Sequence, residues 1–524
     1  MVARQILGKT EVRDQGSENG LEEENVTKTS CLRRIFVLLN TLDKTEAIKD
    51  FIASGLNDSS LPFRRDHRND CALFSRSKPN TPIQFISDSW KPHEIEYFYA
   101  NQWSTISPRF SKSKRHKSVH HYKLSKNDIL PFVQVDGNAL QNHHGGTADV
   151  SRVFIHDDHH TFGARKDFAG SFAVKSLRPF SPVAFKNEVD MLKKFSDDDA
   201  YPHLISLLAT YEQHNHFHMV FDWAERNLKG YWEHVQPQPS ATDRKTVLWV
   251  GEQCKGIARG IVDLHQYETF DRSQADQSPI VVFGHHGDIK EENILWFPGT
   301  EEPQGNPNRG ILKLADFGLA RFRSNNTRSL DAAKGLCATP SYRSPESDLN
   351  NLQGRSYDIW TLGILYLQMI TWLLGGWPLL QDFTMKRKCP DPSWRYWETD
   401  TFFERNPTAE GTSKTLHIIK PVVTRFIEEL HHNKSCTIFL HEFLDLIAEQ
   451  MLIVEGSEKV RISATNLYAE LKRMVKRCSE DDVYALTPSQ WGKSQPCGHG
   501  RPAAVEPLST QNLLKLESQE GPSC

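Results

Sequence analysis

Residues 284–295 read G-H-H-G-D-I-K-E-E-N-I-L, and this stretch constrains the chain more than any other. It sets a carboxylate (Asp288), an ammonium (Lys290) and an amide (Asn293) in one short run, followed directly by apolar Ile294 and Leu295. Transfer of a phosphoryl group from ATP needs those three types together: a carboxylate to orient the attacking hydroxyl, a cation beside the moving phosphate, and an amide oxygen for Mg²⁺. A D-x-K-x-x-N alone arises by chance in many chains, as a solvated loop. Here Leu314-Ala315-Asp316-Phe317-Gly318 follows, an apolar strand end that delivers a second carboxylate able to hold metal. The ordered pair demands a strand–loop–strand frame that brings Asp288 and Asp316 together.

Composition narrows the setting. A chain of 524 residues has room for two or three domains with a sizeable core. A net charge of -3 argues against a mainly nucleic-acid-binding protein. Nine cysteines without C-x-x-C pairs suggest reduced thiols and an intracellular protein, cytoplasmic or nuclear. Cys497 and His499 alone, in a Gly/Pro tail, do not make a zinc site. Residues 1–25 are polar and acidic, unlike a secretory signal. Residues 361–380 carry no charge over about the length of a membrane span, yet contain Gly375-Gly376 and Pro378 and follow Asp358-Ile359-Trp360. In the protein kinases, which the two motifs resemble, D-x-W leads into such a buried core helix, and on that resemblance we expect no membrane partner.

With both motifs in place, the chain resembles the eukaryotic protein kinases of serine/threonine type. That resemblance implies an α+β bilobal fold, with a small mostly β lobe and a large mostly α lobe, over residues 128–478. Residues 143–153 (HHGGTADVSRV) are a weak copy of the glycine-rich loop: aligning Val150 puts His143, Gly145 and Ala148 at the three glycine positions. Phe172-Ala173-Val174-Lys175 looks like the strand whose lysine meets the ATP phosphates. Ser181-Pro182 starts a helix with apolar Phe185, Val189 and Leu192 and the partner carboxylate Glu188. Asp222 and Ala224 match the adenine-binding hinge, with Phe221 guarding the pocket behind it and Leu295 on its far side.

Residue by residue, the resemblance makes Asp288 the catalytic carboxylate, Lys290 the phosphate-side cation, and Asn293 and Asp316 the Mg²⁺ ligands. Mg²⁺ suits hard carboxylate and amide oxygens completed by waters and phosphates. It gives His286, Phe317 and Asp358 structural roles, and it pairs Glu346 of the A-T-P-S-Y-R-S-P-E shelf (338–346) with Arg461 in V-R-I-S-A. Lys290 with Thr339 favours protein substrates phosphorylated on serine or threonine. One departure stands in the loop itself: the arginine of the usual H-R-D is Gly287. In kinases that keep it, this arginine reads a phosphate on the activation loop. Ser324, Thr327 and Ser329 are hydroxyls open to such modification or to no role at all. Two readings stay open, an active kinase and a pseudokinase scaffold.

Around this core, residues 1–30 are expected to be disordered. Residues 31–127 are expected to form a mainly helical module and a basic linker. Leu32, Ile35, Phe36, Leu39, Leu42, Ile48, Phe51 and Ile52 recur at helical spacing, and residues 90–103 pack five aromatic side chains. Similar front segments occur in kinase-like proteins of filamentous fungi, and a protein partner is expected for this one. The patch KSKRHKSVHHYKLSK (112–126) reads as a solvated linker or as a seat for acidic groups. A polar insertion spans 266–278, another spans 381–413, and residues 479–524 are expected to be a disordered tail.

Overall fold

The computed structural model describes residues 31–66, 69–76, 78–113, 118–133, 142–144, 148–162, 170–177, 182–196, 201–271, 280–299, 309–324, 340–347, 354–390, 398–405, 417–455 and 460–491. Residues 1–30 and 492–524 lie outside them, as do Gly145, Ser181, Thr327, Ser329 and Thr339.

The front module folds around its own core. Arg33–Thr41 (α1) buries Ile35, Leu38 and Leu39, and Ile48–Ala53 (α2) buries Ile48 and Phe51. Next come Arg64–Asp66 (β1), Asn69–Ser75 (β2) and Lys78–Pro82 (β3), an antiparallel sheet in the order β1-β2-β3. Gln84–Ser89 (α3) and Pro92–Asn101 (α4) follow, and α4 opens on a proline, which loses no hydrogen bond in a first turn. The Phe51 ring stacks at 6.1 Å on Phe63 and 5.9 Å on Phe98. Each fully buried Ile, Leu or Phe here contributes roughly 1.5–3 kcal/mol. The module keeps its helices and adds a small sheet that the helical spacing did not predict. Its strands escaped the periodicity reading because β3 is almost wholly exposed and, among the described side chains of β2, burial falls on adjacent Ala72 and Leu73 and on polar Ser75.

A seven-stranded sheet forms the small lobe. His121–Lys123 (β4), Phe132–Val133 (β5), Asn142–His144 (β6), Ala148–Ile155 (β7), Ser171–Leu177 (β8), Leu207–Gln213 (β9) and His216–Asp222 (β10) order as β4-β9-β10-β8-β7-β5, with β6 on β7. Pairing sets Lys175 on β8 between Val150 and Met219. Pro182–Lys194 (α5), between β8 and β9 in the chain, buries Phe185, Val189, Met191 and Leu192. The basic stretch is thus not only a linker, because β4 joins this sheet in parallel with β9.

The large lobe begins at Arg226–Asn227 (β11) and Arg244–Gln266 (α6), whose first turn is capped by Asp243 accepting the Thr246 N–H at 3.1 Å. Glu268–Asp271 (β12), Ile280–His285 (β13), Ile294–Phe297 (β14), Ile311–Leu314 (β15) and Arg321–Ser324 (β16) make two sheets, β11-β14-β15 and β12-β13-β16. Part of the polar insertion is therefore strand β12, formed by backbone pairing that its sequence E-T-F-D does not advertise.

Arg355–Arg387 (α7) is the axis of this lobe. Its most apolar window is 89% buried inside the protein, as expected of a core helix. The helix breaks at Gly376, whose φ of +71° suits glycine alone; a Cβ there would lie 2.4 Å from the Pro237 carbonyl oxygen. Pro421–His431 (α8), Ile438–Leu446 (α9), Ala464–Glu480 (α10) and Asp482–Leu486 (α11) complete the lobe. The expected disordered tail thus begins with packed structure. Tyr484 is fully buried and the Ser489 N–H donates to the Cys436 carbonyl at 3.0 Å.

Candidate active site

The catalytic loop is short because β13 and β14 deliver it and α7 fixes it from below. Asp358, one turn into α7, is fully buried and takes three donors: the N–H of His286 at 2.8 Å, the N–H of Gly287 at 2.9 Å and His265 Nε2–H at 2.8 Å. Burial opposes its charge, but the His265 hydrogen bond and the surrounding histidines hold its carboxyl below the usual range. Gly287 has a φ of +80°, a left-handed conformation that glycine adopts without strain. The missing arginine thus coincides with a backbone turn that glycine suits.

Above this anchor the predicted catalytic residues converge. Lys290 Nζ lies 2.9 Å from Asp288 Oδ2, and Asn293 Nδ2 donates to the Asp288 carbonyl and to its Oδ2, both at 2.8 Å. The Ala315 N–H donates to the Asn293 carbonyl at 2.8 Å, tying the loop to the strand end that carries Asp316. Asp316 adopts φ +64°, an uncommon conformation for a residue with a Cβ.

The opposite wall comes from the small lobe. Lys175 Nζ reaches Glu188 Oε1 at 2.7 Å and Asp316 Oδ1 at 2.8 Å. Burial disfavours the ammonium, but Glu188 and Asp316 outweigh it and hold its pKa above the ordinary lysine value. Burial likewise works against the Asp316 charge, which Lys175 more than restores, so its pKa is lowered. Phe317 turns away from solvent onto His286 (ring centroids 4.9 Å) and Phe195 (6.4 Å). Burial lowers the His286 pKa, against the pull of the nearby carboxylates.

Between the walls opens a cavity of about 590 Å³, within the range of small-molecule sites. Its apolar end is lined by Val150, Ala173, Phe221, Ala224 and Leu295, and its polar end by Lys175, Glu188, Asn293 and Asp316. Asp222 and Trp223 complete the rim. Every proposed ATP-contacting residue among the described ones therefore faces one cavity. Asn293 and Asp316 both line its polar end, a hard-oxygen pair that fits Mg²⁺. The second predicted pair also forms: Arg461 grips Glu346 with both ends of its guanidinium, at 2.5 and 2.9 Å.

A protein kinase domain model matches residues 144–374, from β6 through the catalytic loop into α7. Residues 144–374 therefore form a protein kinase domain. Similar curated proteins include the serine/threonine-protein kinase TIO of Arabidopsis thaliana, 27% identical over 186 residues, which are 36% of this chain and 11% of that protein. The serine/threonine-protein kinase pakF of Dictyostelium discoideum is 22% identical over 209 residues, 40% of this chain and 15% of its own. Mitogen-activated protein kinase kinase kinase 20 of Arabidopsis thaliana is 26% identical over 209 residues, 39% of this chain and 52% of its own. The chain spans about half the length of these kinases, or less.

Some residues of this kinase site carry no motif. His265 ends α6, and only packing shows that it completes the Asp358 anchor. Glu291 in the catalytic loop meets the Tyr342 hydroxyl of the shelf, which also bonds Gln368 Oε1 at 2.6 Å. Burial, with Glu292 beside it, pushes Glu291 up to about 7. A one-letter string has no signal for that link, because the partners stand 51 residues apart.

Proposed function

We propose that this chain is a protein serine/threonine kinase that transfers the γ-phosphoryl group of ATP to a protein hydroxyl. The observation that carries the reading is Lys175 bonded at once to Glu188 and Asp316, opposite a loop in which Asp288, Lys290 and Asn293 already touch. In this reading Asp288 orients the incoming hydroxyl and Lys290 steadies the phosphate side. Lys175 holds the ATP phosphates from above, and the hinge residues Asp222 to Ala224 meet adenine. Asn293 and Asp316 would hold Mg²⁺, which would supply positive charge against the charge developing on the phosphoryl group. Nine cysteines without C-x-x-C pairs support an intracellular setting.

A pseudokinase scaffold is the second reading, favoured by Ala148, which stands buried where the third loop glycine is expected. Purified protein with Mg-ATP and a generic basic protein substrate separates the two. Phosphate transfer that disappears in Asp288→Asn supports the kinase, whereas equal inactivity of both proteins supports the scaffold.

A further inference from the structure

Residues 108–113 and 118–128 precede the stretch matched by the family model, yet both pieces are sewn into the small lobe. At one end Phe110 is fully buried, its ring 5.2 Å from Tyr122 and 5.8 Å from Tyr211. Its N–H donates to the His159 carbonyl at 2.8 Å, and its carbonyl accepts the Thr161 N–H at 2.9 Å. At the other end Gln213 Nε2 donates to the Ser125 carbonyl at 3.1 Å and the Asp128 carbonyl at 2.7 Å. Between them β4 pairs in parallel with β9, and the Thr210 N–H donates to the His120 carbonyl at 3.0 Å.

We propose that His121 and Val119 of this strap are positioning residues for Glu188, acting through Phe185 to hold α5 against the cavity. His121 bonds Thr210 Oγ1 at 3.0 Å and sets its ring 6.0 Å from that of Phe185. Val119 is buried in the same core cluster as Phe185, Val189 and Leu192. Phe185 stacks on Phe217 at 4.3 Å. Glu188 stands three residues further along α5, hence on the same face one turn away, and it carries the 2.7 Å bond to Lys175. The strap therefore braces the one helix whose displacement would open that pair. The His121 side chain is exposed on its outer side, and the partial desolvation of its ring lowers its pKa. Only residues 107–109 separate Phe110 from Ile106, which packs on the front module's core. A partner that moved the module would pull directly on the brace.

The consequence for ATP rests on the kinase reading; the brace itself does not. The test uses the full chain, wild type and His121→Ala, with hydrogen exchange of α5 compared with α6. His121→Ala is expected to speed α5 exchange on the order of tenfold and leave α6 unchanged. The apparent Kd for Mg-ATP should rise only by the factor by which the competent fraction falls. His121→Phe, which keeps a ring against Phe185, should restore both, and Val119→Ala should act like His121→Ala. Unchanged α5 exchange overturns the proposal, and so does acceleration of α5 and α6 together, the mark of general destabilisation. A wild-type protein that binds no Mg-ATP refutes the kinase reading, while the exchange comparison still decides the brace.

Discussion

Asp288 and Lys175 face each other across one cavity and are held by different means. Below, Asp358 gathers three donors at a point with no solvent contact, and α7 surrounds it with a dense apolar core. Above, Lys175 depends on a helix seated through Phe185 and on a sheet whose outer strand is borrowed from outside the matched domain. A buried hydrogen-bonded anchor fixes a loop to within a rotamer, because any movement strands unpaired polar groups. A packed helix can shift as a body. On the kinase reading, the large lobe would set whether chemistry is possible, and the small lobe how often the site is assembled.

Removing the Asp288 charge tests the lower wall most severely. Asp288→Asn keeps the shape and the contact with Asn293 but loses the carboxylate. Turnover should fall about 10²–10⁴-fold, the usual worth of a positioned general base, with ATP affinity retained in calorimetry. A parallel loss of ATP binding would mean that the two walls are not separable.

Arg461→Ala tests how the same lobe holds its substrate shelf. The guanidinium is fully enclosed and Glu346 about one quarter exposed, so removing the arginine leaves a carboxylate stranded at a cost on the order of 3 kcal/mol. Thermal stability should fall, not activity alone. Burial raises the Glu346 pKa, but the Arg461 fork overrides it and lowers the pKa below its ordinary value. A depressed carboxyl adds stability that is full above its unfolded pKa and drains away as pH falls through the folded one. The variant should therefore lose part of the wild type's acid-side slope in a pH–stability curve. An unchanged melting temperature would show that the shelf is held elsewhere.

The two walls also differ in how far they could be read from residues alone. Asp288, Lys290, Asn293, Asp316 and Asp358 lie in compact strings whose order carries their geometry, and the structure brings them together around the loop. Lys175 and Glu188 were legible because a lysine between apolar strand residues needs a reason. What escaped depends on distant partners. His265 closes the anchor from 93 residues away, and β4 is only three residues long, with two of them exposed. Its membership of the sheet comes from backbone pairing, to which side-chain patterns are blind. The front module's sheet was missed for the same reason.

Lys175→Met reaches the upper wall. The methionine keeps the stem and deletes the ammonium, so a charge-assisted contact worth roughly 1.5–3 kcal/mol is lost. Mg-ATP affinity should drop about 10–100-fold. A smaller change than that caused by His121→Ala would mean that α5 matters through something other than this lysine.

The smallest effect is expected from stripping phosphate. In a kinase that reads its activation loop through the catalytic-loop arginine, dephosphorylation removes the anion that orders both. Here position 287 is glycine in a left-handed turn, with its N–H committed to Asp358 and no side chain to offer a phosphate. The loop is already anchored, by His265 and Asp358, independently of any modification at Ser324, Thr327 or Ser329. Phosphatase treatment of the wild-type protein should therefore leave turnover within about twofold, less than the 1.4 kcal/mol that a tenfold change represents. A large loss would show that another cation reads the activation loop and that the lower wall, too, is assembled on demand. The same treatment applied to His121→Ala sharpens the point. If the strap rather than a phosphate keeps Glu188 in place, phosphatase should add nothing to the defect that the missing ring has already produced.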